Sequence, residues 1–162
     1  MRIKRIIILI LIMLICTIIF WFSSQPGDES SNTSGGFIKF ILEINPFTAN
    51  LADQEKLELQ ESLQHIIRKC AHFSIYSVLG TLLMTYTNTY NLSMLKKNIL
   101  SFTTGVTYAV TDEVHQYFVP GRSSEFRDIC IDGSGVLLGI IIVSIIIIIY
   151  NKIKKRGKTN EY

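Results

Sequence analysis

The chain has 162 residues, of which 48% are hydrophobic, and its formal net charge is only +3. This length suits one domain over residues 1–162. The small net charge, with basic residues gathered at the two ends of the chain, makes nucleic acid a poor candidate for a partner. Residues 6–22 and 133–150 contain no charged side chain and are long enough to cross a bilayer as helices. The sequence therefore predicts an all-α, multi-pass protein whose first partner is the lipid bilayer.

The first predicted membrane helix covers about residues 5–22 and ends at the turn signal Ser23-Ser24-Gln25-Pro26-Gly27-Asp28. Residues 28–36 are rich in serine, asparagine, threonine and glycine, and this composition predicts a polar loop. The short apolar segment 37–42 is expected to lie in the headgroup region.

From about Leu51 apolar residues recur on one face of a predicted helix, and charged residues occupy the opposite face. This pattern predicts an external amphipathic helix before the second span, acting either as a lid or as a plain connector. Three further membrane helices are predicted over about residues 68–86, 97–117 and 127–150. A basic tail over residues 151–162 follows the fourth span.

The orientation of these four spans is predicted from the basic residues near their ends. Ten lie on the side that holds both termini and the loop at residues 96–97, and six lie on the opposite side. Because cytoplasmic ends carry an excess of lysine and arginine, both termini are expected in the cytoplasm of a cell-membrane protein.

Polar side chains recur at helical spacing inside three of the predicted spans. The stripes consist of Lys69, His72 and Tyr76 in the second span, Glu113 and Gln116 in the third, and Asp128 and Asp132 in the fourth. In this topology the second span starts, the third ends and the fourth starts on one side. The stripes are therefore expected to meet at the outer face, where the loop with Arg122 and the end of the first helix with Gln25 also arrive.

Such a pocket contains groups for acid–base chemistry and for ligand binding. The acid–base candidates are His72, Glu113 and Asp128. The ligand-binding candidates are Lys69, Tyr76, Gln116, Arg122, Asp132 and Gln25, and the two cationic side chains suit a phosphate. The alternative is an ordinary network of ion pairs that ties the helices together.

Two further points concern the acidic residues. Asp112 and Glu113 are adjacent, so they are not expected to point into one site, and Glu113 is preferred because it shares a face with Gln116. His72, Glu113, Asp128 and Asp132 carry donor atoms that suit a divalent cation. No local spacing resembles a metal-binding motif, so no metal site is predicted.

These residues carry a family resemblance. The pattern comprises Phe22-Ser23-Ser24-Gln25, then Lys69-Cys70-Ala71-His72-Phe73 with Tyr76, Leu79 and Gly80, then Asp112-Glu113 with Gln116, Pro120-Gly121-Arg122, Asp128, Asp132 and Gly135. In this order and spacing, over about residues 20–140, the chain resembles the VanZ-like family of bacterial membrane proteins. The resemblance implies a small multi-pass envelope protein whose founding member lowers susceptibility to the glycopeptide teicoplanin. One departure is Asp132, a position at which other members can carry asparagine.

Three functions are compatible with this pattern. The first is an envelope factor that binds or shields a lipid-linked cell-wall precursor and so reduces glycopeptide action. The second is a membrane enzyme that acts on a lipid-linked or phosphate-bearing envelope substrate, or on a polar lipid. The third is an ion or proton pathway, which is least favoured because the inner halves of the second and fourth spans carry only serine, threonine, tyrosine and asparagine as polar residues. The sequence does not decide whether a reaction is catalysed or which cofactor takes part.

Overall fold

The computed structural model describes residues 2–48 and 50–159, and within these ranges the chain is helical with no strand. The helices are α1 (Arg2–Ser24), α2 (Gly27–Ile44), α3 (Asp53–Thr87), α4 (Met94–Tyr117) and α5 (Phe126–Thr159). The predicted all-α class is confirmed. Residues 151–159 of the predicted tail continue α5, and residues 160–162 lie outside the described residues.

Two helices in the described part of the chain are long and apolar enough to cross a membrane. They are Arg2–Ser24, with a mean hydropathy of 3.1, and Phe126–Arg156, with a mean hydropathy of 2.7. In α3 and α4, serine, threonine and tyrosine hydroxyls are interspersed with the apolar residues and lower the hydropathy. The structure thus supports the first and fourth predicted spans by length and composition, and the four-span arrangement stays a prediction.

Residues 28–36 are helical, so the predicted polar loop is wrong. The acidic residues Asp28 and Glu29 lie in the first turn of α2, where they interact favourably with the helix dipole. The buried residues of α2 form one stripe, which consists of Gly27, Ser30, Gly35, Ile38 and Leu42. Small residues in this stripe let α2 pack closely on α3, where Gln64 Nε2 donates a hydrogen bond to the carbonyl of Ser31 at 2.5 Å. Residues 28–36 therefore form part of a packed helix in spite of their loop-like composition.

The predicted amphipathic helix and the second span form one continuous helix, α3, of 35 residues. At a rise of about 1.5 Å per residue it is roughly 50 Å long, which exceeds the thickness of a bilayer core of about 30 Å. The earlier half of α3 contacts α2 through Gln60 and Gln64. The later half contributes Tyr76, Leu79 and Leu83 to the core that it shares with α1, α4 and α5.

The most extensive helix–helix contact is between α3 and α5. Two glycines of α5 permit it, because a Cβ atom on Gly135 or Gly139 would collide with the backbone of α3 at Phe73 or Ser77. The buried side chains of Tyr76, Leu79, Met84, Ala109, Val136 and Ile140 form the core around this contact. Lys69 and His72 on α3 are thereby held close to the first turns of α5.

A tight corner joins the end of α1 to the loop between α4 and α5. The amide of Gly27 donates a hydrogen bond to the carbonyl of Pro120 at 3.0 Å. Gly121 has a φ of 72°, a backbone conformation that residues other than glycine rarely adopt. A Cβ atom on Gly27 would overlap the carbonyl of Gly121, so the two glycines allow the corner and the loop to touch. This contact positions Arg122 over the end of α1.

Candidate functional site

A polar cavity of about 40 Å³ lies where the first turns of α5 meet α3, the end of α4 and the α4–α5 loop. Its lining consists of Arg68, Lys69, His72, Glu113, Gln116, Gly121, Arg122, Ser123, Asp128, Ile131 and Asp132. Seven of the nine residues that the sequence singles out for the pocket are in this lining. The volume suits a few water molecules or an ion.

Two acid–base pairs between α3 and α5 form one wall of this polar cavity. Lys69 Nζ forms a mostly buried salt bridge with Asp128 Oδ2. One turn further along both helices, His72 Nδ1 lies 3.7 Å from Asp132 Oδ1. This distance is longer than a hydrogen bond, so the imidazole and the buried carboxylate face each other without a direct bond.

Glu113 contributes from the end of α4 and also fixes the start of α5. Its Oε1 accepts a hydrogen bond from the backbone amide of Glu125 at 2.7 Å, immediately before α5 begins. Glu113 is 3% exposed. One of its carboxylate oxygens is therefore committed to the α4–α5 loop.

Asp112 occupies a central position that the sequence-based preference for Glu113 does not predict. It is 4% exposed, and its Oδ2 accepts hydrogen bonds from Ser23 Oγ at 2.9 Å, Tyr76 Oη at 3.1 Å and Gln116 Nε2 at 3.3 Å. Asp112 and its neighbour Glu113 are thus both buried. The spacing of Gly105, Ala109, Asp112, Glu113 and Gln116 on one broad helical face was the sequence signal for this.

Two of the sequence-predicted residues lie outside the polar cavity. Tyr76 is fully buried between the helices, and its hydroxyl donates to Asp112. Gln25 borders the neighbouring groove described below, and its backbone carbonyl accepts a hydrogen bond from Arg122. Sequence reasoning also missed Ser23, which is fully buried and bonded to Asp112.

Arg122 is held at the mouth of the polar cavity by backbone carbonyls. Its Nη2 donates to the carbonyl of Phe22 at 2.8 Å and its Nε to that of Gln25 at 3.1 Å. Burial lowers the pKa of Arg122 from its usual value, and the nearby charge of Arg68 lowers it further. Among the residues that the structure describes, no carboxylate lies within salt-bridge distance of either arginine.

A larger groove adjoins the polar cavity on the side of α1 and α2. This lateral groove has a volume of about 550 Å³ and a mostly apolar lining that includes Ile19, Phe22, Phe37, Ile67, Ala71 and Ile75. It shares Arg68, His72 and Arg122 with the polar cavity. An apolar space and a cationic, polar space therefore meet at these three side chains.

Comparison with known proteins identifies a family. The VanZ/LLP1 family matches residues 8–148, which include every residue that lines the polar cavity and the lateral groove. No curated protein and no solved structure matches the chain. The family match and the two long apolar helices together agree with a membrane protein. The chain belongs to the VanZ/LLP1 family.

Proposed function

We propose that this protein crosses the bacterial cell membrane four times and binds a phosphate-bearing envelope lipid at the outer face. Binding of a lipid-linked cell-wall component there would lower susceptibility to glycopeptides such as teicoplanin. The observation that carries the proposal is the junction of the polar cavity with the lateral groove at Arg68, His72 and Arg122.

The topology has support from where the helices begin and end. α1 and α4 end and α5 begins beside the polar cavity. The opposite ends of these helices carry Arg2, Lys4, Arg5, Lys96, Lys97 and the basic residues after Tyr150. Because such residues mark the cytoplasmic side, both termini belong in the cytoplasm and the cavity opens outwards.

The chemistry of the junction suits an amphiphilic anion. Guanidinium groups bind phosphate through paired hydrogen bonds, and neither arginine at the junction is neutralised by a carboxylate among the described residues. The polar cavity is too small for a whole headgroup, so the phosphate would lie at its mouth, between Arg68 and Arg122. The lipid chain would then occupy the lateral groove.

Binding is tested with purified protein in nanodiscs and a fluorescent long-chain lipid pyrophosphate, with the same lipid lacking phosphate as the reference ligand. A hydrogen bond to a charged group contributes about 1.5–3 kcal/mol, so Arg68→Ala and Arg122→Ala should each weaken binding roughly 10- to 100-fold. The matched control is Arg127→Ala, an exposed arginine beside the same loop. Equal binding of the neutral lipid, or an equal loss with Arg127→Ala, would refute the proposal.

The cellular consequence is tested with His72→Ala, Glu113→Gln and Arg122→Ala. Each variant should leave membrane abundance near normal and abolish the teicoplanin tolerance that the protein confers, as measured by quantitative blot beside susceptibility. If tolerance falls only in proportion to abundance, the polar residues stabilise the fold and have no separate function.

One observation favours the enzyme alternative. His72 lines both spaces, and its Nδ1 lies 3.7 Å from the buried carboxylate of Asp132. A small movement that closes this distance to a hydrogen bond would orient the imidazole as a general base. Incubating the same lipid pyrophosphate with the protein distinguishes the two functions. A binding protein returns the lipid unchanged, whereas an enzyme releases phosphate with a dependence on His72.

A further inference from the structure

Three potential metal ligands from three different helices meet beside the polar cavity. His72 of α3, Asp112 of α4 and Asp132 of α5 each present one ligand atom, and the three atoms lie within 4.8 Å of one another. Two ligands at about 2.0–2.2 Å from one ion are roughly 3–4.3 Å apart. The separation of 3.7 Å between His72 Nδ1 and Asp132 Oδ1 falls in this range. The three groups therefore need little movement to share an ion.

A second observation is independent of this spacing. Asp112 Oδ1 is buried and has no hydrogen-bond partner among the described residues, although Asp112 Oδ2 accepts three hydrogen bonds. Ser23, Tyr76 and Gln116 thus fix the carboxylate and leave its other oxygen unused. Ligating carboxylates are commonly held in this way by hydrogen bonds from surrounding groups.

The charges around the cluster point to the same conclusion. Asp112 and Asp132 are 4% and 2% exposed. In the described part of the chain, no lysine or arginine lies within salt-bridge distance of either, and the basic group facing Asp132 is the imidazole of His72. A buried charge is costly unless it is paired or coordinates a metal. A divalent cation would compensate both carboxylates.

We propose that His72, Asp112 and Asp132 bind one divalent transition cation, of the class of Zn²⁺ or Mn²⁺. One imidazole and two carboxylates form a mixed donor set that suits these ions better than a purely oxygen-seeking ion. His72 and Asp132 also line the polar cavity, so the ion is accessible from it. The inference does not depend on lipid binding, because all three ligands belong to the protein.

There is a physical reason why the sequence did not predict this site. Recognisable metal motifs place their ligands a few residues apart, whereas these three ligands are brought together only by the packing of α3, α4 and α5. The candidate cation ligands in the sequence pattern include Glu113 and Asp128 but not Asp112. In the structure these two are bonded to the Glu125 amide and to Lys69.

The test uses the full chain purified in detergent, stripped with a chelator and titrated separately with Mn²⁺ and Zn²⁺ in the absence of any phosphate-bearing lipid. Bound metal is measured by elemental analysis, the Mn²⁺ environment by electron paramagnetic resonance, and stability by thermal melting. The wild-type protein should bind about one ion per chain and melt at a higher temperature when loaded. Asp112→Asn, Asp132→Asn and His72→Gln should each weaken binding at least about tenfold.

The matched control is Glu125→Gln, which removes an exposed carboxylate of the loop beside the cavity and should retain metal binding. Asp132→Asn removes a buried carboxylate that no lysine or arginine pairs with, so its metal-free form should melt no lower than the metal-free wild type. A lower melting temperature of the metal-free variant would identify a folding defect. The proposal is overturned if the wild type shows no saturable binding of either ion. It is also overturned if Glu125→Gln loses binding as Asp112→Asn does. Either result leaves the lipid-binding measurement unaffected.

Discussion

Polar side chains lie at both ends of the helix bundle, and the two ends differ in how completely these groups are paired. At the end where α1 begins, called the Arg5 end, Arg5 donates to the Thr89 hydroxyl at 3.1 Å and to the Thr89 carbonyl at 2.7 Å, and it stacks on Tyr90. Nearby, the hydroxyls of Thr87 and Ser101 bond to each other at 2.9 Å. These groups connect helices to one another.

At the end that contains the polar cavity, pairing is incomplete. Asp112 Oδ1 and Asp128 Oδ1 are buried without a hydrogen-bond partner among the described residues. Buried polar groups in stable proteins are nearly always bonded. From this difference we expect the Arg5 end to act mainly as a scaffold and the cavity end to have binding capacity left for ligands.

The largest loss of stability is expected when the salt bridge between Lys69 and Asp128 is broken. This pair connects α3 to α5 and is the part of the cavity end that resembles a scaffold. Lys69→Met removes the partner of a mostly buried carboxylate. Because breaking a buried ion pair costs about 3–5 kcal/mol, this variant should accumulate poorly in the membrane. Quantitative blotting and thermal melting in detergent measure the loss.

The double variant Lys69→Met with Asp128→Leu is the control for that loss. Replacing both partners with apolar residues is often close to neutral, so abundance should recover in the double variant. A single variant as stable as the wild type would mean that the pair is solvated and belongs to the ligand site.

A smaller effect is expected at the Arg5 end. Arg5→Ala removes two hydrogen bonds and a cation–π contact, in which the guanidinium lies 4.1 Å from the Tyr90 ring centroid. For a partly exposed group this should cost about 1–3 kcal/mol, and teicoplanin tolerance per unit of membrane protein should be unchanged. Lys4→Ala, an exposed neighbour, is the control. Loss of tolerance at normal abundance would contradict the scaffold interpretation of this end.

The sequence predicts a helix well when the helix is indicated by its own composition, and poorly when it is stabilised by a contact with a distant part of the chain. α1 and α5 each contain a long uninterrupted apolar stretch, so composition alone indicates them. α2 is rich in serine, asparagine and glycine, and it is helical because its small buried face packs against α3. That contact lies far away in the sequence, and no local pattern contains it.

The candidate site was predictable to a similar degree. Helical spacing and the order of the spans led to the expectation that Lys69, His72, Glu113 and Asp128 meet, and these residues line one cavity in the structure. The preference for Glu113 over Asp112 assumed that only one of two adjacent side chains on α4 can face the interior of the bundle. α4 packs against α1, α3 and α5, so a broad arc of its surface is buried and two adjacent residues both fall within it.

The smallest effect is expected for the buried hydroxyl pair at the Arg5 end. Ser101→Ala removes the bond between Ser101 Oγ and Thr87 Oγ1, while Thr87 Oγ1 keeps its hydrogen bond to the Met84 carbonyl at 3.1 Å. The remaining hydroxyl is still satisfied, so the cost should be about 0.5–1.5 kcal/mol. Thermal melting in detergent measures it, and Thr103→Ala, which removes an exposed hydroxyl of the same helix, is the control.

A double variant gives the sharper form of this test. Replacing both partners of a hydrogen bond with apolar groups of the same shape can be nearly neutral, so Thr87→Val with Ser101→Ala should be no less stable than Ser101→Ala alone. The coupling energy from the four melting curves then isolates the hydroxyl–hydroxyl bond. At the cavity end, compensation of this kind is expected for the Lys69–Asp128 pair. It is not expected at Asp112 Oδ1, which no second side chain pairs. Loss of tolerance in the double variant at normal abundance would show that the two ends do not differ in function.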